Sequence, residues 1–376
     1  MKHLIKFCCA MLVLGLASCS KAQIEISFEG FKNDTVILFS APIKDYVSAS
    51  SDSELKIDTL LIKNNLLQIP AADESMYWHF SFKETDDNSP NFTRRAIDVI
   101  TQPKDRIKYK VWRTAEQFEY EAKGSDYAEG VADFDQYVLP IALEIDRIDR
   151  GVVENWEIIR PLYDKRRAMA AEWLKDNLDS PAAIYVLVAE VAADVFLEYY
   201  DSLLPMIECS ELAPIVKQRK QAADMQVATT QAKANVKEGA VAPQFTLSDN
   251  DGRAVELSSF RGKWVVLDFW GSWCGYCING IPKMLQAYDE VKDKCEFIGI
   301  ACNDTMDAWL AALDKYSMPW VQLFNSNDVA PADNVSVKYA IEGFPTKIII
   351  TPEGEIHKIF VGEDSDFYTE LANVVK

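Results

Sequence analysis

The stretch from Trp264 to Pro282 reads W-V-V-L-D-F-W-G-S-W-C-G-Y-C-I-N-G-I-P. An apolar run broken only by Asp268 leads into Gly271-Ser272, and a helical pattern follows the two cysteines. Apolar character at nearly every position from Trp264 to Phe269 is what a central strand covered on both faces requires. The spacing therefore predicts a buried strand that turns into a helix near Cys274. A sulfur at that point meets unpaired N–H groups and the positive end of the helix dipole, which stabilise a thiolate and lower its pKa from about 8.5. Cys277, one turn further in, is expected to be more buried and to remain a thiol. Cys274 is thus the expected attacking nucleophile and Cys277 the resolving thiol. Pro282 falls inside the helical pattern and is expected to kink it.

A Cys-x-x-Cys pair can also be half of a zinc site or a haem anchor. A structural zinc site needs a second pair of Cys or His ligands at short spacing, whereas Cys295 and Cys302 are seven apart and His357 stands alone. Haem attachment needs His directly after the second cysteine, and Ile278 stands there. No metal and no cofactor are expected. A reversible dithiol/disulfide couple is.

Downstream and upstream of this stretch, Gln244 to Lys376 alternates strand and helix patterns. Phe245 to Leu247 and Val255 to Leu257 bracket Asp249-Asn250-Asp251-Gly252, a hairpin signal. Further apolar runs lie at Phe297 to Ala301 and Lys347 to Ile350, and Asp366 to Val375 reads as a final helix. A linker at Asn235 to Pro243 separates this part from a helical block, Ser125 to Lys233, where Phe134, Val138, Ile141, Ile145 and Ile148 recur at three- and four-residue steps. Ser180 is expected to cap a helix with Pro181 in its first turn, and Asp146 with Arg150 to form a surface pair. From Gln23 to Trp112 the period is two: Ile24, Ile26 and Phe28 share a face, as do Trp78, Phe80 and Phe82. Lys56 to Ile62 and Leu66 to Ile69 flank Asn64-Asn65 as a hairpin. Several short strands with turns between them predict an antiparallel sandwich.

The chain opens on Met1-Lys2-His3-Leu4-Ile5-Lys6 and an apolar run from Phe7 to Ala17. That run is short of the roughly 20 residues a bilayer span needs and suits an export signal. Leu16-Ala17-Ser18-Cys19 resembles the bacterial lipobox, which implies cleavage before Cys19 and lipid on its sulfur. Ser20 at the next position favours an outer membrane by the same resemblance. Of eight cysteines, five then remain beyond Cys19, an odd number at irregular spacings that excludes a disulfide-stapled scaffold. A net charge of −19 argues against a nucleic-acid partner, since phosphate binding needs a basic face.

D-F-W-G-S-W-C-G-Y-C with Pro282 is similar to thioredoxin-fold active sites. The preceding G-A-V-A-P-Q-F-T-L-S-D-N-D-G resembles the TlpA/ResA type of membrane-anchored thiol–disulfide oxidoreductase. The resemblance implies an α/β thioredoxin-like fold over 237–376, with disulfides of exported proteins as substrates and an unidentified thiol electron donor. Gly343-Phe344-Pro345-Thr346 resembles the family's cis-proline loop, which implies a cis bond beside the cysteines and a Phe344 backbone free to pair with substrate in strand fashion. Trp273 and Phe344 would form an apolar rim. Asp268 falls where the family keeps a buried carboxylate that exchanges a proton with the resolving cysteine.

The chain departs from that pattern in three places. Tyr276 stands where Pro is usual, Gly280 where Glu is usual, and the lysine opposite the buried aspartate is replaced near Gly299. Gly275-Tyr276 is also seen in some envelope disulfide isomerases. A reductase is expected first, with an isomerase of the same fold, or a surface binding lipoprotein whose thioredoxin-like part is scaffold, as alternatives. The expected layout is multidomain and lipid-anchored, facing the periplasm. It has a signal peptide at 1–18, an antiparallel β-sandwich at 19–122, a helical region and linker at 123–236, and the thioredoxin-like fold at 237–376.

Overall fold

The computed structural model describes residues 23–31, 35–42, 56–82, 96–114, 118–148 and 152–375. The expected signal peptide, the lipidation site Cys19 and Arg150 of the Asp146–Arg150 pair lie outside them. The chain divides into two compact units, Met1–Gln218 and Arg219–Lys376.

The first unit begins with β1 (Ile24–Glu29), β2 (Thr35–Pro42), β3 (Lys56–Leu61), β4 (Leu66–Ile69), β5 (Met76–Phe82), β6 (Ala96–Thr101), β7 (Ile107–Arg113) and β8 (Phe118–Lys123). They form two four-stranded sheets, ordered β4-β1-β7-β8 and β3-β2-β5-β6. The period-two pattern directs Ile24, Ile26 and Phe28 of β1, Val36 and Leu38 of β2, and Trp78 and Phe80 of β5 into one core cluster. Each such burial is worth about 1.5–3 kcal/mol.

Two pairings differ from the sequence expectation. β1 runs parallel to β7, with Ile24 opposite Ile107, so the first sheet is not wholly antiparallel. Side-chain alternation encodes which face is buried, not strand direction, and a partner so distant in sequence can run either way. Asn64 and Asn65 do make a tight turn, with φ of 53° and 59°, as a type I′ turn requires. Beyond the Lys63–Leu66 bridge, however, β3 pairs with β2 and β4 with β1. The turn passes the chain from one sheet to the other.

The helices that follow are α1 (Asp126–Asp146), α2 (Trp156–Asp176), α3 (Ala183–Ala189), α4 (Ala193–Glu208) and α5 (Ala213–Ala232), the last of which spans the boundary between Gln218 and Arg219. Ser125 caps α1 by accepting the Ala128 N–H, and Phe134, Val138, Ile141 and Ile145 form its buried stripe. Ser180 does not cap α3, which begins at Ala183. Its hydroxyl accepts the Ala182 N–H at 3.3 Å, in the turn before the helix.

The second unit contains β9 (Thr246–Asp249), β10 (Ala254–Glu256), β11 (Trp264–Trp270), α6 (Gly275–Val291), β12 (Cys295–Ala301), α7 (Met306–Tyr316), β13 (Val321–Phe324), α8 (Val335–Lys338), β14 (Thr346–Ile350), β15 (Ile356–Val361) and α9 (Ser365–Val374). Its seven strands are ordered β10-β9-β13-β12-β11-β14-β15. β9 and β10 form the expected hairpin, with Leu247 opposite Val255. β11 is central, parallel to β12 and antiparallel to β14.

Leu267 and Phe269 pack with Ile298, Ile300, Ile348 and Ile350 on one face. Val266 packs on the other with Phe297, Ile349, Met284 of α6, and Phe367 and Leu371 of α9. Alternation then assigns Asp268 and Lys347 to the face that carries α6 and α9. Among the described residues, no helix is long and apolar enough to cross a membrane.

Candidate active site

The buried strand β11 ends at Trp270 and α6 starts at Gly275, so the intervening turn fixes Cys274 as the N-cap residue. Its backbone is extended, and its Sγ accepts the Cys277 N–H at 3.2 Å. This bond satisfies one of the donors that a helix start leaves unpaired. Cys274 and Cys277 are joined by a disulfide. They are 5% and 7% exposed, so burial does not distinguish them in this oxidised form as expected. Their places on the helix do: Cys274 caps it, and Cys277 lies within its first turn.

The turn before Cys274 is held by Asp304, whose carboxylate accepts the Ser272 N–H at 2.6 Å and the Ser272 hydroxyl at 2.8 Å. Sequence reasoning missed Asp304. It stands just before Thr305, the cap of α7, where an acidic residue is ordinary.

Trp273 is half exposed, its indole N–H donating to the Cys302 carbonyl at 3.0 Å. Its ring meets Phe344 edge to face, with centroids 5.4 Å apart. The Phe344–Pro345 peptide bond is cis, and Phe344 packs against the cluster that contains Cys274 and Cys277. Trp273, Phe344 and the disulfide are therefore brought together. Tyr276, 75% exposed, adds a large aromatic surface at the start of the helix.

Asp268 is buried between Val266 and Trp270 on the face of β11 that carries α6, and its Oδ1 has no hydrogen-bond partner among the described residues. The lysine missing opposite it on β12 is supplied from the other side. Gly299 and Lys347 are the two register partners of Asp268, and the Gln322 side chain fills the space over Gly299. Lys347 is only 3% exposed and donates to Glu363 at 2.8 Å. The signal for it was a lysine inside the run Thr346 to Ile350, since a cation in a strand covered on both faces must be paired.

Burial raises the Asp268 carboxyl to about 6, with Lys347 lowering it and Glu363 raising it. A carboxyl raised on folding contributes stability that is present below its unfolded pKa and is lost as pH rises through the folded value. The stability of Asp268→Asn relative to wild type should therefore grow between pH 4 and pH 6 by about 3 kcal/mol, then level. Urea denaturation of the oxidised protein across that range measures it. Parallel stabilities at pH 4 and pH 7.5 would contradict the burial argument.

The remaining described cysteines are separate from this pair. Cys209 is exposed, and Cys295 and Cys302 are buried. Burial pushes the Cys295 thiol up to about 12 and raises Cys302 further, so both stay protonated and inert. Among the described residues no three His, Cys, Asp or Glu side chains group as a metal site needs.

The AhpC/TSA family pattern matches residues 239–359. The thiol-disulfide oxidoreductase ResA of Bacillus subtilis is 32% identical over 132 residues, which are 35% of this chain and 70% of that protein. ResA of Halalkalibacterium halodurans is 32% identical over 125 residues, 33% of this chain and 68% of that protein. Among solved structures, the thioredoxin domain of a thiol-disulfide oxidoreductase from Bacteroides vulgatus aligns with 30% identity and a TM-score of 0.35, covering 37% of this chain and 99% of that one.

Proposed function

Because the chain belongs to the ResA family of thiol–disulfide oxidoreductases, we propose that it reduces disulfides of exported proteins at the cell envelope through Cys274 and Cys277. The observation that carries this reading is the Cys274–Cys277 disulfide at the start of α6, with the Cys274 sulfur receiving a helix N–H. A sulfur so placed has its anionic form favoured once reduced.

The reaction follows from those positions. The Cys274 thiolate attacks one sulfur of the substrate disulfide, and the other substrate sulfur leaves as a thiolate and takes a proton from solvent. Asp268, ionised above its pKa of about 6, accepts the proton of Cys277. The Cys277 thiolate then attacks the Cys274 sulfur, closing the disulfide and releasing the second substrate thiol. The substrate gains two electrons and the enzyme loses them, and a dithiol donor returns them. Trp273, Phe344 and Pro345 form the surface on which the substrate strand lies.

The proposal includes the tether. Residues 1–18 act as an export signal and Cys19 carries lipid, placing the protein on the periplasmic side of an outer membrane. It also includes the layout of a β-sandwich at 19–122, a helical region at 123–236 and the thioredoxin-like part at 237–376. The two sheets that share one core cluster support the sandwich.

A second reading, disulfide isomerase, is favoured by Tyr276 in the position where proline is usual. The reduction potential of the couple separates the two, since about 30 mV corresponds to 1.4 kcal/mol. A value near that of thioredoxin, about −270 mV, is expected for a reductase. One near that of protein disulfide isomerase, about −180 mV, would overturn it in favour of the isomerase.

A further inference from the structure

Gly280 lies one turn after Cys277 on α6 and is buried. A Cβ built at Gly280 would lie 2.5 Å from Oε2 of Glu363 and 2.8 Å from its carboxyl carbon. The absence of a side chain at 280 is thus what leaves room for a carboxylate delivered from the turn between β15 and α9. That carboxylate is held at both oxygens: Oε2 accepts from Lys347 at 2.8 Å, and Oε1 accepts from the Tyr368 hydroxyl at 2.6 Å. Lys347 is in turn the cross-strand neighbour of Asp268.

We propose that Glu363 is a positioning residue for the thiol chemistry: seated over Gly280 and bound by Lys347 and Tyr368, it engages the lysine ammonium and so leaves Asp268 as the base available to Cys277. The proposal rests on the catalytic role given above to Asp268.

The physical argument is a competition for one buried cation. Four titratable groups interact electrostatically with Asp268: Lys347 from β14, Glu363 from the β15–α9 turn, Tyr368 from α9, and Cys302 just after β12. Lys347 has two carboxylates within its influence, Asp268 and Glu363. While Glu363 holds it, the Lys347–Glu363 pair is neutral overall and Asp268 keeps its affinity for a proton. This agrees with the upward effect of Glu363 on that group. Without the Glu363 charge, Lys347 is left with Asp268, whose ionised form it stabilises. Asp268 then becomes a weaker base.

The test is a carbon-13 titration of the Asp268 carboxyl in the oxidised full-length chain, the resonance being assigned with Asp268→Asn. Glu363→Gln is expected to move the Asp268 midpoint down by at least one pH unit. It should also slow the Cys277 resolution step about tenfold at pH 7, with the pH profile displaced in the same direction. Tyr368→Phe, which frees one Glu363 oxygen, and Gly280→Ala, whose methyl must displace the carboxylate, should move the midpoint down by smaller amounts. A purely structural Glu363 would alter stability and leave that midpoint in place. If Glu363→Gln does not fold, the other two variants read the same quantity.

An unchanged midpoint in every folded variant would overturn the proposal while leaving disulfide reduction by Cys274 and Cys277 intact. A wild-type chain that fails to reduce insulin, with the midpoint still moving, would instead sink the functional reading and leave only the Glu363–Lys347–Asp268 coupling standing.

Discussion

Serine at position 274 is expected to bring reduction of insulin disulfides to the uncatalysed rate. The first step is formation of a sulfur–sulfur bond, and an alcohol cannot form it. Cys277 left alone has no second thiol with which to close a disulfide and complete the cycle. Cys295 and Cys302 are fully buried with their thiols pushed up by burial, and Cys209 has no neighbouring described cysteine in sequence to pair with. Insulin turbidity with dithiothreitol as donor measures the loss. A Cys274→Ser protein that keeps even a tenth of the wild-type rate would place the chemistry elsewhere.

Lys347→Met should be among the most destabilising single changes in the C-terminal unit, costing about 3–5 kcal/mol. The lysine side chain is 3% exposed and that of Glu363 19% exposed. Removing the cation leaves a poorly solvated carboxylate on the same sheet face as Asp268. The companion change Glu363→Gln should cost less, because Asp268 remains to balance the lysine. Lys347→Met combined with Glu363→Gln should recover part of the loss, since breaking one side of a buried pair is worse than removing both charges. Denaturant midpoints of the three variants test the order. A Lys347→Met cost below about 1 kcal/mol would mean the pair is effectively solvated.

The elements around the cysteines were readable because their signals are local. The apolar run of β11, the glycine–serine break and the helical pattern after it fall within nineteen consecutive residues, Trp264 to Pro282. The hairpin of β9 and β10 was readable for the same reason. Strand partnership was not: the turn at Asn64-Asn65 is correctly a turn, yet its flanking strands join different sheets. The direction of β1 against β7 depends on residues more than eighty positions away.

The polar cluster beneath the site divides along the same line. Asp268 stood out as one carboxylate inside an apolar strand. Lys347 carries the matching signal in β14, on the opposite side of β11 from Gly299 of β12. Glu363 gave no local sign at all, since Gly362-Glu363-Asp364 has the composition of any exposed acidic turn. Its placement is visible only in the fold, where its carboxylate fills the space above Gly280.

The most direct test of the account is to incubate reduced Cys277→Ser protein with a disulfide-containing protein substrate, alkylate, and map the adduct by peptide mass spectrometry. With the resolving thiol removed, the first intermediate cannot collapse. The prediction is a stable mixed disulfide on Cys274 and none on Cys209, Cys295 or Cys302. Absence of any adduct, or an adduct carried mainly by Cys209, would contradict the assignment of Cys274 as the attacking nucleophile.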